Sequence, residues 1–284
     1  MVTACGTVSA AATADRADAA PGDSACASAP VAGARAIAWQ TGARVGHGVA
    51  FEDTNNPVGD SVFIGYAGYE VTLASAEAWV EALYDASLAA RGVRYLWAVQ
   101  GPNDPEYANR EIGNSRIVAA LLPLVDARTK FVLVAGHSSG SFVAHELLGE
   151  LAGGLDPQGV TAGRVVYFDL DGGASGLTAR SVARLRRAYF VGARDVATGT
   201  DSPHLAEMQS LGATYAAAGG YWQNDASDSG CDAGARRCVH MTLVTTRPHD
   251  PRAAGAQRDY ADFDGRPVCR SWIDARAEEA GLVP

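Results

Sequence analysis

The chain has 284 residues, 48% of them hydrophobic and 19% charged, with a formal net charge of −9 and a pI near 5.1. That length holds one large α/β domain or two small ones, and the apolar fraction suffices for a sizeable core. The acidic balance argues against nucleic acid or an anionic membrane surface as a partner, and no run of about 18 apolar residues is present to cross a bilayer.

Residues 1–34 read as a flexible tether and residues 35–284 as a single domain. After Cys5 the tail is rich in Ala, Ser, Asp, Gly and Pro and has no aromatic and no aliphatic side chain larger than valine, so it cannot bury enough surface to order itself. Val2-Thr3-Ala4-Cys5-Gly6 resembles a bacterial lipobox, in which the cysteine is lipidated, although the charged and apolar regions of a signal peptide do not precede it. Cys5 is therefore the candidate lipidation site, with membrane tethering through it, and the expected location is extracytoplasmic, either secreted or lipid-anchored. Four cysteines remain once Cys5 is set aside, an even number as in a disulfide-bonded extracytoplasmic protein. Cys231 and Cys238 are close enough to close a small loop, leaving Cys26 and Cys269 for a second bridge. Other pairings stay open. No Cys or His spacing points to zinc.

In chain order, residues 36–39 and 44–51 are early strands, followed by turn chemistry at Asn55-Asn56-Pro57 and Gly59-Asp60. The apolar run from Ser61 to Ile64 enters a Gly65-Tyr66-Ala67-Gly68 turn. Ser75 is expected to cap a helix that Gly92 ends, with Trp79, Leu83, Ala86 and Ala90 at helical spacing. Residues 95–99 form a strand, and residues 109–125 a helix whose last turn Pro123 puts in doubt. Phe131 to Ala135 is a short continuous apolar strand, Gly136-His137-Ser138-Ser139-Gly140 a sharp turn, and Val143, Leu147, Leu148 and Leu151 one face of a helix. Residues 164–171 and 188–195 are further strands, separated by a basic amphipathic helix over 178–187. A helix over 203–211 and a last core strand over 213–218 follow, then a polar, glycine-rich insert from Gly219 to Cys238. Met241 to Thr246 carries β-branched residues typical of a strand. Strand and helix alternate in the way that builds a mostly parallel central sheet with helices on both faces.

A G-x-S-x-G turn between a buried strand and a helix is the context of a nucleophile elbow. On these residues the chain resembles the α/β-hydrolase family of serine hydrolases, esterase- and lipase-like, from about Arg35 onward. The resemblance implies an α/β-hydrolase fold with Ser138 as nucleophile. It also implies an oxyanion hole from the backbone N–H groups of Ser139 and Tyr66, although Ile64 stands where the family often has histidine. The family's order is serine, then acid, then histidine. Asp195, past the second strand after the elbow, is the expected acid; Asp171, one strand earlier, is the alternative, and Asp201 a weaker one. For the base, His240 follows the expected last core strand, whereas His249 takes that place if residues 239–246 form the strand. His47, His137, His145 and His204 read as loop, pocket or structural residues. Tyr66, Tyr69, Tyr221 and Trp222 fall in loops expected near the site.

The expected function is hydrolysis of a carboxylic ester, small or polymeric, through a Ser-His-Asp triad and an acyl-enzyme, with no metal or organic cofactor. A peptidase or amidase of the same fold shares the triad and is the nearest alternative. A non-catalytic binding protein that retains the elbow is the alternative of a different class.

Overall fold

The computed structural model describes residues 39–45, 48–54, 59–84, 88–103, 113–153, 156, 158–226 and 231–244. Nine strands among them form one sheet, in the order β1 (Trp39–Val45), β2 (Gly48–Asp53), β4 (Val93–Val99), β3 (Ser61–Tyr66), β5 (Val132–His137), β6 (Val165–Leu170), β7 (Arg187–Asp195) and β8 (Thr200–Asp201), with β9 (Gly219–Ala226) also paired to β7. β1, β2 and β4 pair antiparallel. From β4 through β3, β5, β6 and β7 to β9 every neighbour is parallel. The two residues of β8 run antiparallel to the end of β7.

Parallel neighbours need crossover connections, and helices supply them. They are α1 (Leu73–Leu83), α2 (Asn114–Leu121), α3 (Gly140–Ala152), α4 (Ala179–Val182) and α5 (Leu205–Thr214), while α6 (Arg236–Met241) follows β9. Side chains alternate across the strands, so each central strand feeds two cores. Phe63, Leu133, Phe168 and Tyr189 pack with Trp79 and Leu83 of α1 and Val239 of α6. Ile64, Val134, Tyr167 and Phe190 pack on the other face with Ile117 of α2, Leu147 and Leu148 of α3 and Met208 of α5. Burial of each such side chain stabilises the fold by about 1.5–3 kcal/mol. β3, β5 and β6 are buried along their whole length, which is why they read as mostly apolar runs. This is the mostly parallel sheet with helices on both faces expected from the sequence.

Several element boundaries differ from expectation. Thr72, not Ser75, caps α1, its hydroxyl accepting the Ser75 N–H. Gly92 does end the following short 3₁₀ turn, in a left-handed conformation at φ 78°. The helix expected over 109–125 begins at Asn114 and passes into a 3₁₀ turn at Leu122–Leu124, where Pro123 has no N–H to continue the α ladder. The basic helix is only Ala179–Val182, held by a capping box between Thr178 and Ser181. The main correction concerns the end of the sheet. α5 runs to Thr214, Ala216–Ala218 form a 3₁₀ turn, and the last strand among the described residues is β9, inside the segment expected as a polar insert. Alanine favours helix over strand. Gly219 and Gly220, at φ 155° and 92°, turn the chain into β9 with Gly219 packed on the Ala188 carbonyl.

Candidate active site

The parallel strands bring β5 and β6 to the same end of the sheet, and the candidate nucleophile and acid leave from these two ends. Ser138 joins β5 to α3 at φ 55°, a conformation that costs a non-glycine residue on the order of 1 kcal/mol or more. The turn is held on both sides: Ser138 N–H donates to Leu170 O at 3.0 Å, and Ser141 N–H donates to Ser138 O at 3.0 Å. Two glycines make the crossing possible. A Cβ on Gly136 would lie 2.6 Å from Ser141 Cα, and one on Gly140 would lie 2.4 Å from Ala67 O and 2.5 Å from Tyr66 O. The Ser139 N–H stands at the start of α3, among the helix donors that have no intrahelical acceptor, at the positive end of the helix dipole.

Asp171 follows β6 and is also held at positive φ, 53°. Its N–H donates to Val191 O at 2.8 Å. Its carboxylate is wholly buried, with Oδ1 accepting from Ser202 Oγ at 2.7 Å and Oδ2 lying 2.6 Å from His240 Nδ1. The His204 N–H approaches Oδ2 at 3.5 Å. His240 sits on α6 directly after the Cys231–Cys238 disulfide. The segment is fastened to the β8 turn: Gly234 N–H reaches Thr200 Oγ1 at 2.9 Å, and the Arg236 guanidinium reaches Ser202 O at 3.1 Å and Pro203 O at 2.8 Å. The Nδ1 contact with a carboxylate requires a proton on Nδ1, so Nε2 of the neutral ring carries the lone pair.

Asp195, the expected acid, does not meet His240 in this arrangement. Its Oδ1 accepts the N–H groups of Ala197 and Thr198 at 2.8 and 3.0 Å, closing the turn after β7. Asp171, the alternative, takes the place beside the histidine. Asp201 instead lies 3.4 Å from the Arg194 guanidinium. His240 is on a helix rather than in a loop after the last strand, and the β-branched stretch behind it begins as a turn whose Leu243 and Val244 are buried. His249, Cys5, Cys26 and Cys269 lie outside the described residues.

The Tyr66 N–H, expected as an oxyanion donor, lies in the β3 ladder. In that strand the Val62 N–H donates to Phe131 on the β5 side. N–H groups two and four residues further along a strand point the same way, so that of Tyr66 faces β5 as a ladder donor. The phenol is buried and donates to Asn114 Oδ1 at 2.9 Å, and Asn114 Nδ2 donates to Val143 O at 2.7 Å. Burial and the nearby Glu150 and Glu146 hold the phenol well above its usual range. The loop residue that approaches the nucleophile is Gly68: a Cβ there would lie 3.2 Å from Ser138 Cβ and 3.3 Å from His137 Nδ1.

His137 is buried beside Ser138. Its ring centroid is 4.3 Å from that of His240, and its Nε2 lies 3.4 Å from the His240 carbonyl. Burial, then the neighbouring His240 and His204, hold it well below the usual histidine range, while its contact with the His240 carbonyl opposes the shift. It is therefore a neutral ring that packs against His240. Sequence reasoning passed over Ser202, whose bond to Asp171 depends on β8 lying along β7. Among the described residues no group of three or more His, Cys, Asp or Glu side chains is arranged to hold a metal ion.

Neither a protein-family model nor a curated protein matches the sequence. Among solved structures, esterase B from Lactobacillus rhamnosis aligns with 86% of this chain and 89% of its own at 12% identity, with a TM-score of 0.46. The Pyrococcus furiosus esterase Pf2001 aligns with 67% of this chain and 84% of its own at 13% identity, with a TM-score of 0.42. A post-proline cleaving enzyme from Rickettsia typhi aligns with 86% of this chain but 38% of its own at 9% identity, with a TM-score of 0.38.

Proposed function

We propose that the protein is a serine hydrolase acting on carboxylic esters through Ser138, His240 and Asp171. The observation that carries this reading is the pairing of a serine held at φ 55° in a strand-to-helix turn with a His240 Nδ1 to Asp171 Oδ2 contact of 2.6 Å. Asp171 fixes the ring with its proton on Nδ1, which leaves Nε2 as the base that takes the Ser138 proton. The serine oxygen attacks the ester carbonyl, and the negative charge that develops on the carbonyl oxygen is met by the Ser139 N–H at the helix start. His240 returns the proton to the leaving alkoxide. Water then attacks the acyl-enzyme by the same route, releasing the acid and restoring the serine.

The Cys231–Cys238 bridge fits an oxidising, extracytoplasmic setting, to which a lipidated Cys5 would tether the domain. Fluorophosphonate labelling followed by peptide mass spectrometry tests the reading. A label on Ser138 that disappears in Ser138→Ala, with ester turnover reduced by about 10⁴-fold or more, is expected. A folded wild-type protein that takes no label and hydrolyses no p-nitrophenyl ester would refute it. Matching p-nitroanilides separate ester from amide cleavage.

A further inference from the structure

A second set of serine, aspartate and histidine side chains lies behind the elbow and has no part in the mechanism above. Asp169, two residues before Asp171, is wholly buried within β6. Its Oδ1 accepts from Ser141 Oγ at 2.8 Å and from Gly172 N–H at 2.9 Å. Its Oδ2 lies 3.2 Å from His145 Nε2. The Ser141 hydroxyl also reaches Gly136 O at 2.8 Å. His145 Nδ1 lies 2.6 Å from Ser175 O, so Nδ1 carries a proton, and one further proton closes the contact between Nε2 and the carboxylate. Gly172 is pressed against the same group: a Cβ there would lie 2.2 Å from Ser141 Oγ and 2.7 Å from Asp169 Oδ1.

These contacts join two turns that are distant in sequence. Ser141 is three residues past Ser138 and Gly172 is one residue past Asp171. Both donate to the same oxygen, while His145 on the next turn of α3 grips the other oxygen and the segment after the acid. We propose that Asp169 is a positioning residue that locks the nucleophile turn to the acid turn, setting Ser138 and Asp171 in register for the base between them. Each of those residues sits at positive φ, a conformation that persists only where surrounding bonds over-determine it. The sheet fixes β5 against β6, but both turns begin where that ladder ends, and the carboxylate continues the connection past it. The inference rests on the triad reading above for its catalytic consequence, and on geometry alone for its structural one.

Asp169→Asn, Asp169→Leu and Ser141→Ala test it in the full chain. An asparagine oxygen still accepts from Ser141 and Gly172, and its amide donates to the Nε2 of a neutral His145, so every bond is kept without the charge. The first readout is the low-field proton resonance of His240 Nδ1–H, assigned by its loss in Asp171→Ala. Asp169→Asn should retain it, whereas Asp169→Leu and Ser141→Ala should shift or broaden it. The second is ester turnover: a misplacement of this kind should lower kcat about 100-fold in Asp169→Leu and about tenfold in Ser141→Ala, with KM within about twofold. If Asp169→Leu does not fold, Ser141→Ala decides alone. A lowered Tm with the resonance and kcat unchanged would overturn the proposal, leaving only a packing role, and so would an Asp169→Asn as damaged as Asp169→Leu. If wild type turns over no ester, the functional reading fails, while the resonance still judges the lock.

Discussion

Asp171 follows β6 and Asp195 ends β7, and their asparagine variants should separate cleanly. In Asp171→Asn the His240 ring loses the carboxylate 2.6 Å from Nδ1, in a site where that carboxylate is fully buried. At an effective dielectric constant near 20, two unit charges about 4 Å apart attract by about 4 kcal/mol. In the proposed mechanism that attraction forms as His240 takes the serine proton, so its loss raises the barrier and slows turnover by about 10³-fold. The asparagine amide can also donate to Nδ1, which selects the tautomer with its proton on Nε2 and removes the base, so about 10³- to 10⁴-fold in kcat is expected. Asp195→Asn keeps the oxygen that accepts from Ala197 and Thr198 and should hold kcat within about threefold, with less than about 1 kcal/mol of lost stability. Steady-state hydrolysis of a short p-nitrophenyl ester, alongside circular dichroism to establish folding, reads both. A folded Asp171→Asn within tenfold of wild type, together with a disabled Asp195→Asn, would refute the assignment.

His137 should make stability depend on pH. Its folded pKa is held below the unfolded value, so the unfolded chain binds a proton below about pH 6.5 that the folded chain refuses, and stability falls as the pH drops, by up to about 1.4 kcal/mol per unit. Urea melts between pH 7 and 5 should show a smaller loss for His137→Gln than for wild type; equal losses would count against this. Opening the Cys231–Cys238 loop, with its sequence separation of 7, by a double serine substitution should cost about 2.5 kcal/mol of stability in the chain-entropy account, with a fall in kcat because the bridge adjoins the base helix. Thermal melts and ester assays read the two effects, and an unchanged kcat would show that α6 is held by its other bonds. Gly140→Ala places a methyl group 2.4 Å from a backbone oxygen, so a loss of at least about 1–3 kcal/mol and of fluorophosphonate labelling is expected. A stable, fully labelled variant would mean that the elbow opens more readily than its packing implies.

The alternation of buried strands and helices was legible in the sequence because β3, β5 and β6 are covered on both faces, and strands so covered are mostly apolar, the hydrogen-bonded Asp169 of β6 being an exception. The strand, G-x-S-x-G turn and helix around Ser138 were legible for a local reason: a sharp strand-to-helix crossing leaves no room for a Cβ at Gly136 or Gly140. β9 was not legible. It lies beyond β7 and carries Gln223, Asn224 and Asp225, so its strand character comes from pairing with β7 rather than from its own composition. The pairing of His240 with Asp171 rather than Asp195 was likewise tertiary. Asp171 and Asp195 each follow an apolar strand and look alike in sequence, but the β8 turn, lying along β7, anchors α6 and supplies Ser202 to the Asp171 carboxylate. His240 reaches Asp171 across 69 residues. Contacts of that separation depend on where several elements pack at once, whereas the chain alone sets the local turn that presents Ser138.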